Sequence, residues 1–524
     1  MGTVSMQNLA QVQMTTIVAL ILFSIIMVLV GFYATKRAKT VEGFLLGGRK
    51  IGAWISAFAY GTTYFSAVIF IGYAGKHGWD IGYASIWIGV GNAILGSLIA
   101  WLILAKRTRG MTHRLGAKTM PEFFEGRYGS TAMKVYSALI IFVFLVPYSA
   151  AVYKGLGSLF VTIFPGADIM IVMSIVAILT AIYLVFGGYV ATAYNDFIQG
   201  VIMIAGAVVM VFAITYNPAV GGFSTGFAKI KALGDAAGNT SLTNWFGGSN
   251  WKFLAYNIML TSFGTWGLPQ MIMKYYAIKD EKSIKQATVI STSFALIIGV
   301  SAYYVGVLGR IFVPIAEKGM PKDGFDMVVP QILMQALGND GSLITTIILA
   351  VIMLLLLSAS MSTLAGVVLT SSSAISVDLL PVVHPNIKEQ HKVTALRLLC
   401  LLFVAASFLF AVTNITFIVN LMSFSWGIVS GCFIGPFIWG LYYKKTTKAG
   451  AWAGLISGLV TVVALTTIYT ITSGDFKVAM SMSPQFGVCA MVVSVVIVPV
   501  VSLLTKSVPV DHIKSSFGIE TGGR

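Results

Sequence analysis

Apolar runs of membrane-crossing length recur along almost the whole chain, separated by short polar joints. A hydrocarbon core about 30 Å thick needs roughly 20 apolar residues per helical crossing. The pattern predicts thirteen spans: 15–33, 51–73, 83–104, 133–164, 169–186, 189–216, 251–276, 284–312, 343–379, 393–412, 417–443, 452–470 and 486–505. Two of them are interrupted. The run 51–73 carries no charge but passes through Gly61-Thr62-Thr63, and the run 251–276 passes through Gly264-Thr265-Trp266-Gly267-Leu268-Pro269. Such residues are weak helix formers, and backbone carbonyls freed in hydrocarbon are tolerated only where they line a cavity or bind something.

With the first span set aside, the next ten fall into two groups of five, each opening on an interrupted helix. Five is odd, so the groups enter the membrane from opposite sides. The expected fold is therefore an all-α membrane protein of about 13 transmembrane helices, with a five-plus-five inverted-repeat core, one extra N-terminal helix and two extra C-terminal helices. Residues 1–50 hold the tail, first helix and a basic inner loop; 51–216 and 251–443 are the two repeats. Residues 217–250 form a polar, Gly-rich external segment, and 444–524 the accessory helices and a short tail. Interrupted helices in corresponding places of two halves point to a secondary transporter whose site lies where they unwind.

Composition agrees: 57% of residues are hydrophobic, 10% charged, and mean hydropathy is +0.88, leaving no room for a soluble domain of ordinary size. The net charge of +16 is scattered over short loops rather than gathered for nucleic acid. With the N-terminus outside, the inner loops hold 25 of the 34 Lys and Arg residues, which favours N-out and C-in in a plasma (inner) membrane. The first run lacks the flanks of a cleaved leader and is read as a span. Cys400, Cys432 and Cys489 show no paired spacing and read as buried small residues, and the five histidines are placed in loops or tails. Gly89-x-Gly91 and Gly155-x-Gly157 read as close-packing sites, not phosphate loops. Without a catalytic constellation or nucleotide motif, neither an enzyme nor an organic cofactor is expected.

The chemistry is concentrated in few residues. Asp196 is the acidic residue placed clearly inside a span. An intramembrane carboxylate marks function by default, yet it also suits a helix start held by the N-terminal dipole; both readings stand. The span 343–379 carries hydroxyls at 358, 360, 362, 363, 370–373 and 376. Such residues often only permit close packing or bond back to their own helix. Ser362 and Thr363 differ in sharing mid-membrane depth with Thr62 and Phe65 of the broken helix. Unwound carbonyls with two hydroxyls supply the oxygens a bare Na⁺ requires.

The stretches FLLGGRKIGAWISAFA, GGYVATAYNDFIQG, SASMSTLAGVVLTSSSAISVDLL and GPFIWGLYYKKTTKAGAWAGLISG occur in family order over most of the chain. In them the chain resembles the sodium:solute symporter family. The resemblance implies a five-plus-five (LeuT-like) core, and a sodium site made by carbonyls of Thr62, Phe65 and Ala359 and hydroxyls of Ser362 and Thr363. It implies a role in sodium coupling for Asp196. Ala365 and Gly366 stand where members with a second sodium carry serines, which favours a single coupled Na⁺. Proline carriers of the family place an aspartate where this chain has Tyr64, and a Tyr-Phe-Gly-Gln-Pro run where it has Thr265 to Pro269.

Tyr148 aligns with a substrate-contacting tyrosine of the family, and Ser66, Thr265, Trp266, Pro269 and Gln270 are expected around the same cavity. The implied function is uptake of a small organic solute (amino acid, sugar, sugar acid or carboxylate) coupled to inward Na⁺ by alternating access, in a protein that works as a monomer. A proton-coupled carrier of the same fold, with Asp196 as proton site, and a passive channel or uniporter are the competing readings.

Overall fold

The computed structural model describes residues 6–34, 40–316, 319–338, 342–413, 416–506 and 510–518. Lys36, Arg37, Lys39, Lys318 and Arg524, which enter the charge balance, lie outside them. Nearly everything described is helical, and the β pairing among these residues consists of two isolated bridges, Ile51 with Ile278 and Ile315 with Pro321.

Helix α1 spans Met6–Ala34. The first broken helix consists of α2, Ala53–Tyr64, then a π-helical stretch Val68–Tyr73 that runs into α3, Ala74–Ile81. Residues 86–115 form α4, with α5 at Thr131–Ile163 and α6 at Ile169–Thr215. The second broken helix has α7, Trp251–Phe263, a 3₁₀ turn Gly264–Trp266, and α8, Pro269–Ala277. There follow α9 at Glu281–Val307, α10 at Leu343–Ser373, α11 at Glu389–Val412, α12 at Ile418–Tyr442, α13 at Lys448–Ser473, α14 at Phe476–Ser481 and α15 at Ser483–Leu504.

Among the described residues, ten helices are long and apolar enough to cross a membrane, against thirteen spans expected. The difference arises where the chain bends. The second half of the first broken helix continues into α4 as one run, Val68–Leu115; the second broken helix is cut into pieces too short to qualify. In α6 the backbone leaves helical geometry at Gly188 (φ 54°, ψ −147°), a conformation open to glycine; among the described residues this region holds the long run Leu184–Thr215 and a shorter apolar one, Met170–Ile182.

Close packing of small residues sets the core. A Cβ on Gly89 would come within 2.5 Å of the Gly299 backbone, and one on Gly155 within 3.3 Å of Ala67. Such contacts let helix backbones approach where lipid supplies no hydrophobic drive for association. Helix α6 packs along α10 and α1, while α2 is held between α6, α9 and α10; α12, α13 and α15 form a group on one flank. Large apolar side chains such as Leu22, Leu102, Leu409 and Ile471 are exposed on the outside, as a lipid-facing surface requires. Two expectations are corrected. Three histidines are not in loops: His113 lies in α4 and His391 in α11, and His77 is fully buried in α3, its ring stacked on Tyr73 and Phe253 and its Nδ1 2.9 Å from the Tyr73 carbonyl. Of the three free cysteines, Cys400 and Cys432 are buried but Cys489 is exposed.

Candidate functional site

Helix α2 stops because Phe65 turns extended (φ −104°, ψ 98°), its N–H still bonded to Gly61 O at 3.0 Å. The chain restarts through Ser66, whose Oγ accepts from the Val68 N–H at 3.2 Å. A helix end leaves its last carbonyls without intrahelical partners. Here α10 supplies them. Ser362 Oγ reaches Thr62 O at 3.0 Å and Ala359 O at 3.1 Å; Thr363 Oγ1 reaches Thr62 O and Thr63 O, each at 3.2 Å. Each hydroxyl has one proton. Two protons are therefore shared among three carbonyls, and five oxygens crowd into a buried space rich in lone pairs and poor in donors.

The approach of α2 and α10 depends on the residue one turn beyond. A Cβ on Gly366 would lie 3.1 Å from Thr63 Cγ2, so a side chain at this position, where a further serine was considered, would press on the broken helix. The side chains of Thr62, Ser362 and Thr363 are completely buried, as are Phe65 and Ala359. Phe65 occupies the break itself.

On the neighbouring face, the Tyr148 hydroxyl lies beside the side chains of Ser66, Thr363 and Trp426 without a hydrogen bond of ordinary length. Its ring meets Trp426 edge-on, centroids 5.6 Å apart, and Trp426 stacks on Tyr64 at 6.3 Å. Tyr148 Oη, Trp426 Nε1, Thr62 Oγ1 and Thr63 Oγ1 are all buried and unpartnered. An unmet polar atom in the interior is costly, and this many beside one helix break make it the candidate site for a polar ligand. Trp426 was not anticipated, although a lone Trp among the small residues of SFSWGIVSG was the available signal.

The remaining expected contacts are dispersed. Thr265 donates within its own turn to Ser262 O at 2.8 Å and faces Gly96 O at 3.2 Å. The Trp266 indole turns away from Tyr148, donating to Leu95 O at 3.0 Å and lining an apolar groove with Met259, Ile434 and Met491. Pro269 begins α8 and borders a residual void of 10 Å³ shared with Thr119, Tyr276 and Asp378. Gln270 is buried with Oε1 unpartnered.

Asp196 lies one turn before Gly200, where a Cβ would press on Phe58 and Thr62. Its carboxylate sits 3.6 Å from the Lys274 ammonium, which lies 5.0 Å from the centroid of the Tyr189 ring. Lys274, which falls near the end of the expected span 251–276 and counts among the inner-side cations, is buried in α8. Asp378, fully buried and bonded to Thr119 Oγ1 at 2.7 Å, is a second interior carboxylate.

The profile of the sodium:solute symporter family matches residues 44–458. The chain belongs to the sodium:solute symporter family. Among relatives of this symporter are the osmoregulated proline transporter OpuE of Bacillus subtilis (strain 168), 28% identical over 500 residues, covering 94% of this chain and 95% of the relative. The sodium/proline symporter of Staphylococcus aureus (strain JH9) is 29% identical over 524 residues, covering 97% and 96%. The fold is shared with a Na⁺-coupled sialic acid symporter solved in a substrate-bound outward-open state (TM-score 0.73, 17% identity, covering 94% of this chain and 98% of that one). It is also similar to Mhp1, a nucleobase-cation-symport-1 family transporter in a closed conformation with bromovinylhydantoin bound (TM-score 0.52, 13% identity, 90% and 97% covered).

Proposed function

We infer that this symporter couples the inward movement of one Na⁺ to uptake of a small organic solute. The observation that carries the reading is the oxygen cluster at the helix break, where the Ser362 and Thr363 hydroxyls converge on Thr62 O at 3.0 and 3.2 Å. A bare Na⁺ relieves the shortage of donors there by accepting lone pairs from both hydroxyls and from the carbonyls of Thr62, Phe65 and Ala359. It thereby ties α2 to α10. Asp196, paired with Lys274, holds α6 against α8 beside that junction and transmits the ion's presence to the second broken helix.

Solute binds on the adjoining face, against Ser66, Tyr148 and Trp426, with Thr265, Trp266, Pro269 and Gln270 forming the second-repeat side as it opens. Ion and solute share α2 and its break, so each raises the other's affinity. The two proteins named as proline carriers support an amino acid or another compact carboxylate as solute. Tyr64, in place of an aspartate, argues against a site tuned to proline alone. A tenfold Na⁺ gradient provides about 1.4 kcal/mol and 100 mV about 2.3 kcal/mol per charge. Together they allow accumulation on the order of 500-fold at one-to-one stoichiometry.

The test is uptake of radiolabelled amino and organic acids into proteoliposomes under an imposed Na⁺ gradient, and separately under a proton gradient in choline medium. Sodium-driven accumulation above equilibrium is expected. Accumulation driven by protons without Na⁺ would replace this reading with the proton-coupled one, and strictly downhill flux would replace it with a uniporter.

A further inference from the structure

At the end of the bundle away from the basic loops lies a cavity of 390 Å³, lined by Lys76, Lys154, Lys477, Asn420, Thr416 and Phe417, among others. Three ammonium groups on three separate elements face one space. Lys76 on α3 pairs with Asp80 at 3.2 Å and lies 4.3 Å from the centroid of the Phe325 ring. Lys154 on α5 bonds to Thr416 O at 2.5 Å and sits 3.6 Å from Asp326, which also faces the Ile418 N–H at 3.3 Å. Lys477 on α14 is exposed and has no ion pair among the described residues. Two carboxylates thus answer three cations, and the walls add the Asn420 amide and the apolar faces of Phe417 and Val478.

The cavity and the polar cluster at the helix break are built on the same helices at different levels. Lys154 and Tyr148 are six residues apart on α5, as are Asn420 and Trp426 on α12. Six residues of helix rise about 9 Å. Between the two levels, the Tyr73 hydroxyl meets Ser423 Oγ at 2.7 Å, both groups buried. That hydrogen bond joins the first broken helix to α12 between the level of the cationic cavity and that of the unpartnered hydroxyls.

We propose that this cavity is an antechamber that captures the carboxylate of an organic anion or zwitterion among Lys76, Lys154 and Lys477 before the Tyr73–Ser423 contact opens. Positive walls around a small low-dielectric space concentrate anions at the entrance and raise the rate of encounter. The cavity exceeds what an inorganic ion fills, and its apolar side accepts a short carbon chain. The site therefore selects carboxylate-bearing solutes over neutral sugars before the inner site is reached. Only the direction of traffic rests on the symport reading; the binding does not.

The test uses the full-length protein in detergent, in sodium-free choline buffer at constant ionic strength, with L-lactate as probe and lactamide as its neutral counterpart. A saturable rise in thermal midpoint with choline lactate is expected, absent with lactamide and with choline chloride. Lys477→Gln, at an exposed position, should raise the half-saturating lactate concentration at least threefold, and the triple variant K76Q/K154Q/K477Q should abolish the response. Equal stabilisation by chloride or lactamide would overturn the proposal, as would a wild-type response in Lys477→Gln. So would stronger displacement by a soluble short-chain phosphatidylglycerol than by lactate, which would make the site a lipid headgroup pocket. Lactate binding without sodium-driven uptake would sink the symport reading alone; uptake without lactate binding would sink the antechamber alone.

Discussion

Asp196 and Lys274 face each other across 3.6 Å with side chains 1% exposed, and neither has a hydrogen bond to any other group among the described residues. The pair joins α6 to α8, elements from the two expected repeats. Removing one member of a buried pair strands the other, at a cost of about 3–5 kcal/mol, whereas removing both is often nearly neutral. Asp196→Asn and Lys274→Met should each lower the thermal midpoint and the yield of folded protein. The double variant D196N/K274M should recover most of that stability. If the carboxylate couples ion to solute, the recovered protein will still fail to accumulate solute against a gradient. Full sodium-driven uptake by the double variant would reduce the pair to a structural clamp.

Ser362→Ala and Thr363→Ala each remove one oxygen from the cluster at the helix break. A lost hydrogen bond costs about 1 kcal/mol of stability, so both variants should fold. Apparent sodium affinity should fall roughly tenfold in each, the equivalent of about 1.4 kcal/mol, while Thr363→Ser stays near wild type. Sodium titration of thermal stability at fixed solute reads this directly, and unchanged half-saturation in both alanine variants would remove these side chains from the ion site.

Gly61 supports the break from the other side. A Cβ there would lie closer than 3.0 Å to three ring carbons of Phe294 in α9. Gly61→Ala should therefore destabilise by about 1–3 kcal/mol through overpacking, and Phe294→Leu should restore part of the loss. Thermal unfolding of the single and double variants, compared as a cycle, checks the contact; additive losses would show that the two positions do not share space.

The apolar runs made the helical fold legible, because a membrane-spanning helix must satisfy its own backbone and carry an apolar surface. The sites of breakage were equally visible in Gly61-Thr62-Thr63 and Gly264 to Pro269, and the structure brings Thr62, Ala359, Ser362 and Thr363 to one place. What composition could not show is which way a side chain turns after a break. Trp266 closes a 3₁₀ turn whose rotation differs from an α-helix, and its indole is carried to Leu95 and the outer groove. Lys274 looked like an inner-side cation because the basic inner loop lies just beyond it. Its burial depends on Asp196, 78 positions earlier, which no local pattern reveals. His77 is hidden for a similar reason: its partners are Tyr73 one turn back and Phe253 on another helix.

For the antechamber to pass solute inward, the Tyr73–Ser423 hydrogen bond is the contact that must open. Deleting the hydroxyl in Tyr73→Phe removes a neutral hydrogen bond of about 1 kcal/mol, which is about fivefold in an opening equilibrium. In a Cys489→Ser background carrying Ser66→Cys, a membrane-impermeant maleimide should label position 66 several times faster once Tyr73 is Phe. Identical labelling rates would mean that the closure is held elsewhere.

Asp326 makes the antechamber sensitive to acid. Its carboxyl is pushed above the usual carboxylate range by burial, with Lys154, the Ile418 N–H and Lys76 pulling in the opposite direction. The groups facing it are Lys154 from α5, Lys76 from α3, itself paired with Asp80, and the backbone at the start of α12. A carboxyl with a raised value takes up its proton early as pH falls, while exposed carboxylates remain charged. Once Asp326 is neutral, the Lys154 ammonium no longer has an anionic partner and faces the cavity with its full charge. Lactate remains largely ionised down to about pH 5, because its carboxyl resembles an ordinary aspartate. Its half-saturating concentration should therefore fall as the pH is lowered from 7 towards 5. Asp326→Asn should bind lactate tightly at both pH values, since it removes the opposing charge permanently. A wild-type affinity indifferent to pH, or an Asp326→Asn variant that follows the wild-type curve, would mean that Lys154 is not held back by this carboxylate.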